Sequence, residues 1–254
     1  EQWRIEVFRT HGKIYEASAS AMFNVPLQDI LDAPKLTGAH HPLRKLGKVA
    51  ELALAYKGWI GAARNFEMPG TDEEIKANIL KWQAASPAIV EFWGGQSRGE
   101  WRDRYPELFG VEGMAIKALQ NPGEWFPVMR RDDTPSGIAY IAVGRTLFCR
   151  LPSNRLLTYH FCSLTPSTRE YDPPWALSLS YEGWNTNPKN GPTGWIRMDT
   201  YAGKLTENIV QAVARDILRR AIINLEKASY PAVIHVYDEI ASEIPKGWGS
   251  TEEF

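Results

Sequence analysis

Apolar residues recur at helical spacing through the first third of the chain and give way to strand-like alternation in the second half. The stretch "HGKIYEASASAMF", with Ile14, Ala17, Ala21 and Met22 on one side, predicts helix across residues 1–32. Pro42 suits the first position of a second helix, predicted to run through "LRKLGKVAELALAYKGWIGAARNF". Leu43, Leu46, Ala50 and Leu54 form its apolar stripe. A third helix is predicted over 71–94, with Thr71 as cap, Asp72, Glu73 and Glu74 in the first turn, and Ile75, Ile79, Trp82 and Ile89 inward. Pro87 should kink or break it.

From about residue 121 the texture changes. "GIAYIAVGRTLFCRLPSNRLLTYH" alternates β-branched and aromatic residues around "PSN", the mark of strands joined by turns. "SLTPSTREYDPPW" and "NTNPKNGPTG" read as loops. The strongest helix signal is 206–228, with Thr206 as N-cap and Ile209, Val213, Ile217, Ala221 and Leu225 on one face. A hairpin over 231–245, which includes "VIHVYDEIASEIP" (233–245), follows it and turns at "YDE". The expected fold class is α+β, with a helical part over 1–120 and, over 121–254, antiparallel strands packed on the long helix.

Composition narrows the picture little. The 254 residues are 44% hydrophobic and 23% charged, an ordinary globular balance. A net charge of −1 means that any nucleic-acid contact must rest on local basic clusters. Two cysteines, Cys149 and Cys162, argue against a disulfide framework and fit a cytoplasmic setting. No apolar run approaches the roughly 20 residues of a membrane span. Glu1 opens the chain as if inside a helix, and "GSTEEF" closes it on a helix start without a body, so both ends are expected to be cuts in a longer protein.

Three groups of residues are candidates for chemistry. Arg44 and Lys48 stand one turn apart near a helix N-terminus, with Lys45 beside them and no acid before Glu51. Like charges at that spacing cost a few tenths of a kcal/mol, and the helix dipole opposes cations there. A docked phosphate chain would relieve both, although a solvated basic face has the same pattern. Gln211, Arg215 and Arg219 make a polar stripe on the long helix, where Asp216 and Arg220 read as a surface pair. Asp238 and Glu239 sit at the hairpin tip, flanked by apolar residues on both strands, which predicts a buried scaffold presenting two carboxylates. An acidic tip in water and a divalent metal site remain open there; magnesium accepts one or two carboxylates plus substrate phosphate.

The order of these features resembles the polymerase core of family A DNA polymerases, the class containing bacterial DNA polymerase I, and most nearly its phage-encoded branch. "RKLGKVAELALAY" (44–56) is similar to the fingers-helix motif of that family, and "VYDE" (236–239) to the palm motif usually written Val-His-Asp-Glu. "TENIVQAVARDILRRA" (206–221) resembles the helix before it. "EVFRTHGKIYEASASAMF" (6–23) is similar to the segment after the first palm motif, and "RLPSNRLLTY" (150–159) to a hairpin between fingers and palm. The resemblance implies helical fingers over 1–120 and an antiparallel-sheet palm over 121–254. It implies that Arg44 and Lys48 bind the triphosphate of an incoming dNTP, with Tyr15 near the phosphates, Leu52 at the nucleotide-binding position that bears on stacking and sugar selection, and Tyr56 by the templating base pair. Gln211, Arg215 and Tyr237 would contact primer-template DNA. Asp238 would be a catalytic metal ligand with Glu239 as accessory acid, using two magnesium ions for transfer onto a primer 3′-hydroxyl.

Several positions depart from the family pattern. Leu52 stands where many members have an aromatic residue, Tyr15 and Tyr237 where a His is common, Lys57 where a Gly follows the fingers Tyr, and Glu207 where an Asn is frequent. The other catalytic Asp of the family would lie just before Glu1, and neither Asp172, Asp199 nor Asp216 replaces it, so this chain alone is expected not to synthesise DNA. The expected partners are primer-template DNA and dNTPs, with no membrane and no oligomer. Two other readings are a non-catalytic nucleic-acid-binding remnant, and a carbohydrate-binding module suggested by ten Trp and ten Tyr.

Overall fold

A computed structural model describes residues 1–94, 108–168, 175–188 and 191–250. Among the described residues, eight helices come first: α1 (Gln2–Thr10), α2 (Ile14–Phe23), α3 (Leu27–Thr37), α4 (Leu43–Leu54), α5 (Ile60–Asn65), α6 (Asp72–Ala85), α7 (Pro87–Trp93) and α8 (Gly110–Gln120). Six strands follow: β1 (Phe126–Met129), β2 (Pro135–Val143), β3 (Thr146–Arg150), β4 (Leu156–Pro166), β5 (Leu177–Asn185) and β6 (Gly194–Thr200). The long helix α9 (Ala202–Lys227) and the pair β7 (Ala232–Val236) and β8 (Glu239–Ser242) are the last of the described elements. The expected α+β class holds.

The predicted helix over 1–32 is instead three. Gly12 (φ 67) and Asn24 (φ 52) take left-handed backbone between them, and Pro26 restarts the chain. Ala17 and Met22 are buried as expected, whereas Ala21 faces outward because Glu16, Ser18 and Ala19 occupy the inner face. The second helix stops at Leu54 rather than running on, since Lys57 adopts φ 59 and a Cβ on Gly58 would lie 1.8 Å from the Ala53 oxygen. The third forms with its capping box: Thr71 accepts from the Glu74 amide at 3.3 Å and the Glu74 carboxylate accepts from the Thr71 amide at 2.7 Å. It breaks at Pro87, as predicted.

Two apolar cores result. Met22, Val49, Ala50, Leu54, Ile75, Ile79, Trp82 and Trp93 fill the helical one. Tyr140, Leu147, Leu151 and Leu179 fill the other, between the sheet and helices α8 and α9, with Val111, Ala115, Leu205 and Ile209 from the helices. Helix α8, within the range expected to belong to the helical part, therefore packs with the strands. The sheet is an antiparallel meander in chain order β1 to β6. Ala202 joins the helical core, so the first turn of α9 bridges the two.

Helix α9 begins four residues before the expected start. Tyr201 holds the N-cap position, and Thr206, predicted as the cap, is buried inside the helix. The reason is Gly203: a Cβ there would lie 2.0 Å from the Tyr56 oxygen, so glycine permits the helix to abut the segment after α4. Ile209 is buried, but Ile217 on the same predicted stripe is 66% exposed, because the sheet covers only the first half of α9.

Candidate functional site

Helices α2 and α4 cross so closely that a Cβ on Gly47 would fall 2.1 Å from the Tyr15 oxygen and 2.9 Å from the Ala19 nitrogen. Only glycine allows this approach. One turn before it, Arg44 lies with its guanidinium carbon 5.5 Å from the centre of the Tyr15 ring. Its Nε donates to Glu16 Oε1 at 2.7 Å. Burial pushes the Glu16 carboxyl up, but the hydrogen bond and charge of Arg44, with the Glu16 backbone amide and Lys13, outweigh it and hold the group below the usual carboxylate range.

The rest of the predicted nucleotide row follows from α4. Lys48 and Leu52 come four and eight residues after Arg44 and are exposed on its outer side. Beneath them, on the inner side, Glu51 accepts from Trp82 Nε1 at 2.9 Å and forms a largely buried ion pair with Arg4, whose other terminal nitrogen reaches Ser86 Oγ at 2.7 Å. Tyr56 is not on the helix: it stands in the turn after it, half-buried, where burial and the nearby charge of Glu207 raise its pKa. Arg44, Lys48, Leu52 and Tyr56 therefore lead along α4 to the N-terminal half of α9.

There, Asn208 Nδ2 donates to the Tyr159 hydroxyl at 3.1 Å. Gln211 is exposed and borders a cavity of about 330 Å³ lined also by Leu157, Thr158, Tyr159, Tyr181 and Asn208. Arg215 is exposed one turn further on. Asp216 does not form the expected pair with Arg220. It accepts from Ser153 Oγ at 2.6 Å and Arg155 Nε at 2.8 Å, which clamps the β3–β4 turn to α9 and lowers its pKa. Arg155 Nη2 also donates to the Ala212 oxygen at 2.8 Å, so the turn outcompetes a surface neighbour on the helix.

The hairpin turns where expected, at Tyr237 and Asp238, with Val236 opposite Glu239. Its support differs from the prediction. Both strands stand apart from the six-stranded sheet, and Val233, Ile234 and Val236 are 58, 59 and 50% exposed. Apolar residues on both faces signalled a buried scaffold, yet the described residues cover the hairpin only in part: Ala232, Ile240 and Ser242 are half-buried, while Val233, Ile234 and Val236 stay open. The base is tied down better: Ala232 N donates to Glu226 Oε1 at 2.9 Å, and the Tyr230 ring packs against Trp248 at 4.8 Å. Tyr237 is 92% exposed, and Asp238 and Glu239 are exposed beside it.

These anchors set a scale. Tyr56 meets α9 at its first turn, whereas the hairpin springs from its far end. The 26-residue helix is about 39 Å long, and a five-residue strand spans about 17 Å. As donors for magnesium, Asp238 and Glu239 fit as a partial set: hard oxygens free to meet a hydrated cation and substrate phosphates. Among the described residues no group of three His, Cys, Asp or Glu side chains gathers to complete it. Asp172 and the closing "TEEF" lie outside the described residues.

Sequence reasoning passed over Glu16, Asn208 and Tyr159. A signal existed for the first: Glu16 is a lone acid in an Ala- and Ser-rich stretch that the helical pattern buries. The other two depend on the docking of β4 against α9, which no local pattern records.

Comparison with known proteins adds to this geometry. No family model and no solved structure matches the chain. It is similar to a DNA polymerase of Bacillus phage SP02, at 39% identity over 251 residues. The match takes in 97% of this chain and 33% of the phage protein, so the chain spans about a third of the length of that relative.

Proposed function

We propose that this chain supplies the fingers (1–120) and most of the palm (121–254) of a family A, phage-type DNA-directed DNA polymerase acting in DNA replication in the bacterial cytoplasm. The observation that carries the reading is the 39% identity to a phage DNA polymerase across nearly the whole chain. The geometry agrees with it where Arg44, Lys48, Leu52 and Tyr56 follow one another towards Gln211. Arg44 and Lys48 bind the triphosphate of a dNTP through charge-assisted hydrogen bonds, with Tyr15 beside them. Tyr56 and Leu52 bound the nascent base pair, and Gln211, Arg215 and Tyr237 contact primer-template DNA. The primer 3′-hydroxyl attacks the α-phosphate and pyrophosphate leaves. Magnesium, when bound, stabilises the attacking and leaving oxygens. Asp238 would hold it, Glu239 assisting, together with substrate phosphates and a carboxylate from beyond the described residues.

Primer extension by the complete polypeptide that the gene encodes tests this reading. Asp238→Ala is expected to abolish magnesium-dependent synthesis, and Arg44→Ala to raise KM for dNTPs. The 254-residue chain alone is expected to bind DNA, with affinity falling steeply with salt, and to synthesise none. DNA binding by the complete polypeptide without synthesis would favour the non-catalytic remnant. Salt-resistant glycan binding without DNA binding would overturn both.

A further inference from the structure

The Glu16–Arg44 pair has a geometry that a simple structural ion pair does not require. The Glu16 side chain is 9% exposed and that of Arg44 28%, so the acid is inside and the base at the surface. Contact is made through Nε at 2.7 Å. Arg offers five donors in a planar fork, and among the described residues its two terminal nitrogens take no partner. The Tyr15 ring stands by the same guanidinium, at 5.5 Å from its carbon. The helix crossing at Gly47 fixes the separation of α2 and α4, and with it the reach between the two side chains. A long, flexible cation is thereby held by its inner edge, with its outer edge presented to solvent beside Lys48.

We propose that Glu16 is a positioning residue for a triphosphate site: it locks the Arg44 guanidinium so that both terminal nitrogens meet one phosphate group as a preformed fork. This rests on the nucleotide-binding reading of Arg44 given above and extends it to a residue that touches no substrate. Binding a phosphate then orders little that is not already ordered, and the affinity gain comes from that saving. Glu16 is too deeply placed to meet the nucleotide itself. Its negative charge keeps Arg44 turned inward at Nε and leaves the bidentate edge for the ligand.

Two variants and a cycle test this in the complete polypeptide. Glu16→Ala is expected to raise KM for dNTPs roughly three- to tenfold, the scale of one freed side chain, with kcat changed less. Glu16→Gln retains the shape and an oxygen to accept from Nε, and is expected to fall between Glu16→Ala and the natural protein. In an Arg44→Ala background, Glu16→Ala should have no further effect on KM, because its action passes through Arg44. A lower KM on removing Glu16 would make the pair a latch that withholds Arg44, and would overturn the proposal. A loss confined to kcat or melting temperature, or a KM effect that persists without Arg44, would overturn it too. Should Glu16→Ala not fold, Glu16→Gln and the same cycle on it carry the test. Binding of inorganic tripolyphosphate by calorimetry separates this inference from the polymerase reading. Glu16- and Arg44-dependent binding without DNA synthesis upholds the positioning and sinks the enzyme; synthesis with tripolyphosphate binding indifferent to Glu16 does the reverse.

Discussion

The two ends of the proposed site are built in opposite ways. At the α2–α4 crossing, Arg44 is held by a buried acid and an aromatic ring, on helices locked together at Gly47 and, beneath, by Glu51 with Arg4 and Trp82. At the hairpin, Asp238 stands at the tip of two strands, one of which leaves its apolar side chains Val233, Ile234 and Val236 exposed. The first is rigid because its neighbours lie within the described chain. The second has its turn and its base fixed and little between. A two-stranded ribbon is marginal in water without a third strand or a packing face. Charge placement thus follows packing: the cation end is set by the fold itself, and the carboxylate end is left to whatever comes to lie against the hairpin.

The largest expected effect tests the rigid end. Glu51→Ala removes one partner of a largely buried ion pair and the acceptor of the Trp82 indole, so it should destabilise the protein by about 3–5 kcal/mol. Urea unfolding of the purified variant measures it. A cost below about 1 kcal/mol would mean that α4 is not held from beneath, and the contrast with the hairpin would fail. Gly47→Ala comes next, at about 1–3 kcal/mol. Its Cβ would meet backbone atoms of α2, which can yield only by moving the helix. A larger Arg44-dependent loss of dNTP affinity than of stability would show that the crossing sets the site as well as the fold.

How legible this was depends on how far each contact reaches along the chain. The Thr71–Glu74 capping box spans four residues, and the sequence displays it in full. The "PSN" turn and the "YDE" turn are equally local, and both occur where the pattern places them. The Arg44–Glu16 pair joins residues 28 apart, and the clamp of Arg155 on Asp216 joins residues 61 apart. Periodicity says that α9 has an outer face, not that a turn of the sheet has claimed Asp216 on it. The hairpin failed in the reverse sense. Apolar residues on both strands state that a strand wants cover on two sides, without stating that the cover lies within these residues. The row along α4 was legible as chemistry before it was legible as structure, because like charges at four-residue spacing conflict with the helix dipole wherever the helix sits.

A smaller effect distinguishes the ends by pH. Glu16 has its carboxyl depressed below the ordinary value near 4.5, so its pair contributes stability above that value and loses it as pH falls through the lower folded pKa. Glu16→Gln should flatten the acid limb of stability below about pH 4.5, read as urea midpoints between pH 3 and 6. Asp216, also depressed, supplies the same sign at the β3–β4 turn and remains in the variant, so part of the limb persists. An unchanged limb would mean that Arg44 is not charge-paired in solution.

The smallest expected effect sits at the other end and decides the comparison. Val233 and Val236 are at least half in solvent, so Val233→Thr and Val236→Thr should each change stability by no more than about 0.5 kcal/mol. The same substitution at Val49, 5% exposed in the helical core, buries a hydroxyl and should cost about 1–3 kcal/mol. Hydrogen exchange supplies the backbone counterpart: amides of β7 should exchange through local opening, well before those of α4 and the first half of α9. Protection of β7 equal to that of α4 would mean that the ribbon is already covered, and the carboxylate end would then be as preformed as the cation end. If protection instead rises only when primer-template DNA is added to the complete polypeptide, the hairpin is ordered by its ligand. Asp238 would then reach its working position on binding, whereas Arg44 waits in it.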